Sequence, residues 1–168
     1  MDDFEWEEDC ELREPESPQV QSVGESVRTV LSDGTVQYMN SEGQLHRFDG
    51  PAFEYPDGAK EWWICGDRHR ADGPAIEWAN GERQWYDNGL RHRADGPAIE
   101  WANGHKEWWY NGLLHRTDGP AYERTDGYRE WWLNGLLHRV DGPAIEHPDG
   151  PKEWWICGVR REGLEGKD

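Results

Sequence analysis

Five histidines recur at intervals of 23 residues, and imidazole is the side chain that proteins most often use to bind a metal or transfer a proton. They are His46, His69, His92, His115 and His138. A His-x-x-Asp pair such as His46 with Asp49 supplies fewer ligands than a zinc site needs. Equivalent histidines in consecutive units of a β-meander lie roughly 9.6 Å apart, too far to share one ion. We therefore predict that they pack on tryptophan and hydrogen-bond at a turn, with no metal and no cofactor.

Paired glutamates are a second candidate for chemistry. If each hairpin has a two-residue loop, Glu100 faces Glu107 and Ile99 faces Trp108, and facing carboxylates resemble the acid–base pair of a glycosidase. The pair recurs in four of five units, since Gln84 interrupts the second unit, whereas a catalytic centre is a single constellation. The sequence therefore predicts no enzyme. The arginine of each His-Arg pair is expected to neutralise both glutamates across the strands.

Thiol chemistry has little support from the positions of the cysteines. Cys65 and Cys157 occupy the same position in units that are four repeats apart, a separation of roughly 38 Å in an extended meander. That separation excludes a disulfide between them. Cys10 lies in an acidic segment with no adjacent base. We interpret all three as bystander thiols.

Each unit contains a Glu-Trp-Trp segment or a close variant. Because side chains alternate along a strand, the two aromatic residues are expected on opposite faces of a sheet. The first series is Trp62, Trp85, Trp108, Trp131 and Trp154, and the second is Trp63, Tyr86, Trp109, Trp132 and Trp155. Such ladders are typical of sugar-stacking platforms or of a core, and we favour the core. Trp78 and Trp101, near the predicted hairpin tips, are expected to be exposed and are predicted to contact a partner.

The N-terminal segment is strongly acidic, with 9 acidic residues among its first 16. Two interpretations stay open: a solvated tail, or an acidic and aromatic arm that docks on a basic partner surface. The second interpretation predicts partner-binding residues in this arm. They are Asp2, Asp3, Phe4, Glu5, Trp6, Glu7 and Glu8.

Composition limits the class of protein. The chain has 168 residues, 3 cysteines, 12 tryptophans and a formal net charge of −17. Three cysteines are too few for a disulfide scaffold, the first residues are too acidic for a signal peptide, and no run reaches the roughly 20 apolar residues needed to cross a bilayer. A cytoplasmic protein is expected. Residues 46–160 carry 20 acidic and 14 basic side chains, a net of −6, which disfavours direct nucleic-acid binding.

The elements that position these residues are five tandem units of 23 residues. Each unit begins with His-Arg-x-Asp-Gly-Pro-Ala, and two turn dipeptides follow. The first set is Asp57-Gly58, Asn80-Gly81, Asn103-Gly104, Asp126-Gly127 and Asp149-Gly150, and the second is Cys65-Gly66, Asn88-Gly89, Asn111-Gly112, Asn134-Gly135 and Cys157-Gly158. Asn-Gly and Asp-Gly favour type I′ hairpin turns. Asp-Gly-Pro predicts a kink or bulge, because proline lacks a donor for the ladder.

These signals predict an all-β fold, a single-layer antiparallel β-meander of tandem 23-residue hairpin repeats with about ten strands. The predicted organisation is an acidic leader at 1–30, a degenerate half-repeat that caps the N-terminal edge at 31–45, five hairpin repeats at 46–160, and a C-terminal tail at 161–168.

The period and the W-x-N-G-x-x-H spacing of residues 109–115 resemble the MORN repeat, more closely its variants. The resemblance covers residues 46–160 and departs at Asp-Gly-Pro-Ala, where typical MORN units have spaced glycines. It implies a single-layered, twisted array of hairpins that serves as a scaffold or binding module, in some cases at membranes. Units of the HR-x-DGPA type are similar to those of phage, giant-virus and bacterial proteins.

Together these features predict a non-enzymatic protein-binding repeat module. The specific case is an acidic inhibitor or adaptor, such as a phage anti-defence protein acting in the host cytoplasm, that engages the basic, nucleic-acid-binding surface of a partner protein. No direct nucleic-acid binding and no membrane binding are expected. The alternatives are a carbohydrate-binding aromatic repeat array and a membrane-associated scaffold.

Overall fold

The computed structural model describes residues 26–162, which form 21 short β-strands, numbered β1–β21 in chain order, and no helix. Eleven strands make one open antiparallel meander. In order across the sheet they are β1 (Val27–Val30), β2 (Val36–Met39), β3 (Phe53–Glu54), β4 (Lys60–Glu61), β7 (Ile76–Glu77), β8 (Arg83–Gln84), β11 (Ile99–Glu100), β12 (Lys106–Glu107), β15 (Tyr122–Glu123), β16 (Arg129–Glu130) and β19 (Ile145–Glu146). The predicted all-β meander of tandem hairpins is confirmed.

The other ten strands form five two-stranded hairpins, one in each repeat unit. They are β5 (Trp63–Ile64) with β6 (Asp67–Arg68), β9 (Tyr86–Asp87) with β10 (Leu90–Arg91), β13 (Trp109–Tyr110) with β14 (Leu113–Leu114), β17 (Trp132–Leu133) with β18 (Leu136–Leu137), and β20 (Trp154–Ile156) with β21 (Val159–Arg161). Successive hairpins are linked through the backbone; for example, Gly112 N donates to Arg91 O at 2.9 Å. Each of the first four units thus adds two strands to the main sheet and one hairpin beside it, and the fifth unit adds one strand and one hairpin.

The turn within each side hairpin, which we call the tight turn, has the predicted two-residue loop. In the third unit Asn111 has a φ of 48° and Gly112 a φ of 79°, as a type I′ turn requires. Trp109 therefore pairs with Leu114, and His115 N donates to Trp108 O at 3.0 Å. The two-residue loop thus places Trp108 opposite His115, as such a turn predicts. A pairing of Glu107 with Arg116 in the same register is wrong, because Glu107 pairs with Ile99 and Tyr122.

The other turn of each unit, which we call the tip loop, is not the predicted type I′ turn. Gly104 has a φ of 85°, but Asn103 is not in the left-handed region, and Trp101 N donates to His105 O across a three-residue loop. The Asn103 side chain accepts a hydrogen bond from the backbone N–H of His105, which stabilises this conformation.

The longer tip loop shifts the register by one residue. Glu100 pairs with Lys106 and Ile99 with Glu107. The predicted Glu100–Glu107 pair is therefore wrong, and so is the predicted pairing of Ile99 with Trp108. Lysine opposite glutamate replaces two like charges that would have repelled each other.

The strands are interrupted at Asp-Gly-Pro, where a kink is predicted. They are interrupted a second time at the first tryptophan of each Glu-Trp-Trp segment. Trp108 lies between strands β12 and β13, and its backbone N–H donates to Ala121 O of the next unit at 2.7 Å. The alanine of every Asp-Gly-Pro-Ala segment is fully buried. These residues are Ala52, Ala75, Ala98, Ala121 and Ala144. Together with Ile76, Ile99 and Ile145 they form the thin core along the array.

The two ends of the array differ. At the N-terminal end β1 pairs with β2, and β1, which is exposed along its length, lies in the last residues of the predicted leader. At the C-terminal end the fifth tip loop is distorted: Pro151 stands where other units have a residue with a backbone N–H, and β19 meets the returning chain in a single bridge, Ile145 with Glu153. Proline cannot donate the bond that orders the other tip loops.

Candidate functional site

The most regular side-chain arrangement is built on the arginine of each His-Arg pair. In the fourth unit Arg116 donates from Nε to Asp118 Oδ1 at 2.8 Å, and from Nη1 to Pro120 O at 3.1 Å and to Glu123 Oε1 at 3.0 Å. Its Cζ lies 4.0 Å from the ring centroid of Trp108, which belongs to the preceding unit. The guanidinium therefore connects its own loop to the aromatic ring of its neighbour.

The same arrangement occurs in all five units, and we call residues 116–120 and their equivalents the arginine loops. The guanidinium lies 4.0 Å above an aromatic ring in each case, for the pairs Arg47 with Tyr38, Arg70 with Trp62, Arg93 with Trp85, Arg116 with Trp108, and Arg139 with Trp131. The chain thus shows a repetitive β-hairpin array with arginine–glutamate pairs every 23 residues.

The glycine of each arginine loop is required by this close approach. A Cβ placed on Gly119 would lie 2.9 Å from Cζ of Arg116, although the backbone there does not need a left-handed conformation. The expected role of the arginine is corrected in one respect. Arg116 binds Glu123 and Asp118 of its own unit, not both glutamates of the facing strands.

The aspartates of the arginine loops form a series of exposed carboxylates. They are Asp49, Asp72, Asp95, Asp118 and Asp141, with side-chain exposures between 78% and 84%, whereas their arginines are only 20% to 22% exposed. The hydrogen bond and the positive charge from Arg116 lower the pKa of Asp118, and each of the other four aspartates is affected by its own arginine in the same way. We call these five residues the aspartate row.

The second glutamate of each unit has a different partner. Glu107 Oε2 accepts a hydrogen bond from Trp109 Nε1 at 2.8 Å, and Oε1 accepts one from Trp101 Nε1 at 3.0 Å. In the second unit Gln84 replaces the glutamate and accepts from the hydroxyl of Tyr86 at 3.0 Å. The carboxylates that resembled an acid–base pair are thus engaged in separate hydrogen bonds.

The five histidines hydrogen-bond at turns, as predicted. His46 Nδ1 accepts from the backbone N–H of Cys65 at 3.0 Å, and His138 Nδ1 accepts from that of Cys157 at 3.1 Å, each in the tight turn of the same unit. The imidazole of His46 is buried, and burial lowers its pKa. Within residues 26–162, no three side chains of His, Cys, Asp or Glu come together in a way that could hold a metal ion.

Of the predicted partner-binding residues, only two lie in the described part of the chain. Trp101 is 38% exposed, as expected. Trp78 is half-buried, which corrects the expected exposure: it packs on Ala75, Ile76 and Tyr86. Asp2, Asp3, Phe4, Glu5, Trp6, Glu7 and Glu8 lie outside the described residues.

Open grooves separate consecutive arginine loops. One groove has a volume of about 800 Å³ and is lined by His69, Asp72, Asp87 and Asp95 together with both flanking arginines. The next groove has a volume of about 540 Å³ and includes Asp95 and Asp118. The aspartate row therefore borders a furrowed surface. The sequence analysis did not predict the aspartate row, although the constant Arg-x-Asp spacing indicates a repeated ion pair.

No protein-family model matches the chain, and a search of curated proteins found no match. No helix among the described residues is both long and apolar enough to traverse a bilayer. By its geometry the chain is a repetitive antiparallel hairpin array. In each unit an arginine is paired with carboxylates of the same unit, and one of these is an exposed aspartate.

Proposed function

We propose that this chain is a non-enzymatic protein-binding repeat module that engages a partner with a basic surface. The observation that carries the proposal is the aspartate row. One arginine faces one aspartate and one glutamate in each loop, so each loop keeps one net negative charge, and the aspartate is the more exposed of the two carboxylates. The row repeats at roughly 9.6 Å, two strand spacings. An ordered series of anionic groups attracts and orients a basic partner.

Two further features support this function. The resemblance to MORN repeats implies a scaffold or binding module, and residues 1–45 carry 12 acidic and 2 basic side chains, a net of −10. In the proposal, residues 2–8 of the leader and Trp101 add further contacts to the partner. The specific case is an inhibitor or adaptor of the phage anti-defence type, acting in the cytoplasm on a partner whose basic surface binds nucleic acid.

A charge-matched pair of triple variants tests the aspartate row. The row variant carries Asp72→Asn, Asp95→Asn and Asp118→Asn, whose amide oxygens still accept from the arginines. The control carries Asp57→Asn, Asp126→Asn and Asp149→Asn in the tip loops, where two units already have asparagine. Both variants lose three negative charges, so a difference between them reports position and not net charge.

Each variant is immobilised and used to capture proteins from a lysate of the cell that makes the chain, at low and high salt. We expect basic proteins that the wild type and the control retain to be lost from the row variant, and high salt to weaken all capture. Equal capture by both triple variants contradicts a role for the row. Deletion of residues 1–17 then measures the part of the leader, and unchanged affinity removes it from the mechanism.

Sugar binding has less support from the geometry. The rings of Trp62, Trp85, Trp108 and Trp131 are each covered on one face by an arginine. All four tryptophans of the second series donate their indole N–H groups to glutamates, namely Trp63, Trp109, Trp132 and Trp155. Titration of tryptophan fluorescence with oligosaccharides distinguishes the two functions, because stacking of a sugar perturbs the emission.

A further inference from the structure

The side hairpins of the last three units share one apolar face, which we call the hairpin stripe. Residues that pair across a hairpin lie on the same face. The pairs of the stripe are Tyr110 with Leu113, Leu133 with Leu136, and Ile156 with Val159. The second member of each pair is exposed, by 42%, 42% and 55% in that order. The same face of the first two units is interrupted by Asp67 and Asp87, so the apolar face belongs to units three to five.

The fold does not require leucine at these exposed positions. Each leucine packs on the tight-turn glycine of the following unit; Leu113 Cδ2, for example, lies 3.2 Å from the position of a Cβ built on Gly135. In earlier units the same place is taken by Asp67, which packs on Gly89, and by Gln44. Polar side chains therefore fit this position. A row of exposed apolar side chains that the fold does not need is typical of a surface that contacts another molecule.

The aspartate row runs beside the hairpin stripe. Tyr110, which pairs with Leu113, also lines the groove of about 540 Å³ that contains Asp95 and Asp118. The two arginines of this groove are each shared between an aspartate and a glutamate, so each loop keeps one negative charge. An apolar stripe with carboxylates along one flank is complementary to an amphipathic segment with cations along one flank.

The dimensions of the hairpin stripe suit an α-helix. Consecutive units are roughly 9.6 Å apart, which is two strand spacings. Residues seven positions apart on a helix are separated by roughly 10.5 Å along its axis. One apolar residue in every seven can therefore lie against each unit, and a helix of about 14 residues spans all three units. Cations on the flank of such a helix then lie along the aspartate row.

We propose that the hairpin stripe binds a basic amphipathic helix of the partner protein, with the apolar face of the helix on the stripe and its lysines or arginines against the aspartate row. The inference rests on the proposed function, because it gives the basic partner a secondary structure and an apolar contact beside the charged one. Binding by charge alone and binding by the stripe respond in opposite ways to aspartate in place of leucine.

The experiment titrates the full chain with a peptide of three heptads that carries leucine at the first and fourth positions of each heptad and lysine along one flank. A shuffled peptide of the same composition, in which no helix face is apolar, is its control. We expect saturable binding in calorimetry that is at least tenfold tighter for the amphipathic peptide than for the shuffled one.

Two double variants of the chain test the stripe itself. Leu113→Asp with Leu136→Asp copies Asp67, and it should bind the amphipathic peptide at least tenfold more weakly even though two added negative charges attract lysine. Leu113→Gln with Leu136→Gln copies Gln44, and it should also weaken binding at least tenfold, without a change of charge. Urea unfolding checks that both variants keep the folded array.

The matched control carries Val27→Asp and Val30→Asp on β1, an exposed strand at the opposite end of the array. It gains the same two charges away from the stripe, and its affinity for the amphipathic peptide should stay within threefold of the wild type. Unchanged or tighter binding by the leucine variants would overturn the proposal. Equal affinity for the two peptides, or no saturable binding, would overturn it as well.

Two other occupants of the stripe would give different results. Phosphatidylcholine vesicles that bind the wild type but not the variant with Leu113→Asp and Leu136→Asp would overturn the proposal in favour of a lipid surface. Concentration-dependent self-association that this variant loses would overturn it in favour of a second copy. If the leucine variants bind the peptide normally while capture from a lysate still depends on the aspartate row, the helix site is rejected and the proposed function stands.

Discussion

The arginine loop and the tip loop of one unit are both short and both contain glycine, yet they are stabilised differently. The arginine loop at 116–120 is tied by a guanidinium that also covers Trp108 of the neighbouring unit. The tip loop at 102–104 is ordered within itself, by Asn103 bonding to the backbone of His105. The arginine loop keeps Arg, Asp, Gly and Pro, and the alanine that follows it, in all five units, whereas the tip loop varies among Pro-Asp-Gly, Ala-Asn-Gly and Thr-Asp-Gly. Contacts between units therefore restrict sequence more than the turn itself does.

Removal of the guanidinium is the strongest test of this difference. Arg116→Ala should lower the free energy of unfolding by about 2 kcal/mol, because Glu123 and the Pro120 carbonyl lose a charged donor. Arg124→Ala, which breaks an exposed ion pair with Asp126 at a tip loop, should cost less than about 0.5 kcal/mol. Urea unfolding measures both variants. Equal losses would mean that the two loops do not differ in this way.

The glycine of the arginine loop gives the next largest expected effect. Gly119→Ala should destabilise the array by about 1–2 kcal/mol, because the new methyl group displaces the Arg116 guanidinium. Ala102→Thr in the tip loop should be nearly neutral, since Thr125 occupies the equivalent position. Thermal unfolding of the two variants compares them directly, and a neutral Gly119→Ala would show that the arginine shifts at little cost.

A substitution in the tight turn should lower the free energy of unfolding by an amount between those expected for the arginine loop and the tip loop. Asn111→Ala should cost about 1 kcal/mol, because alanine tolerates the left-handed φ of 48° less well than asparagine does. Asn111→Gly relieves this strain but, like the alanine variant, loses the Asn111 side-chain contact with His92 Nδ1, so it should be more stable than Asn111→Ala in urea unfolding. If the alanine and glycine variants were equally stable, backbone conformation would not limit this turn.

The smallest effect concerns pH and the buried His46. Burial lowers the pKa of His46 in the folded chain, so below about pH 6.5 the unfolded chain takes up a proton that the folded chain resists. The free energy of unfolding should therefore fall between pH 7 and pH 5. His46→Asn keeps an acceptor for the Cys65 N–H and should reduce this fall. The same pH dependence in both proteins would contradict the assignment.

The period, the strand class and the tight turns were predictable because they depend on local backbone preferences. The register across the tip loop was not, since Asn103-Gly104 suits two turn types and the side-chain bond to His105 decides between them. The burial of Trp78 was also missed: its ring lies 6.0 Å from that of Tyr55, in the preceding unit, and tip-to-tip packing leaves no periodic signal of its own.

The aspartate row was overlooked for a different reason. Asp-Gly-Pro indicates a backbone kink, and this signal alone assigns Asp118 to the turn. Its carboxylate is instead held by Arg116 and faces solvent. The spacing of two residues between arginine and aspartate is compatible with an ion pair between them. Only the folded loop shows that Nε binds Asp118 and that Nη1 binds Glu123.

The head-to-tail stacking of guanidinium on ring gives the array a direction and makes its size adjustable. A gene duplication that inserted one more 23-residue copy among the central units would create only junctions of the kind already present, and would lengthen the molecule by roughly 9.6 Å. Loss of one central copy would likewise leave only junctions of this kind, with one repeat and one interface fewer to stabilise the array. The number of units, and with it the length of the array, can therefore change in evolution without a new kind of junction. The residues at the two ends of the array stay the same.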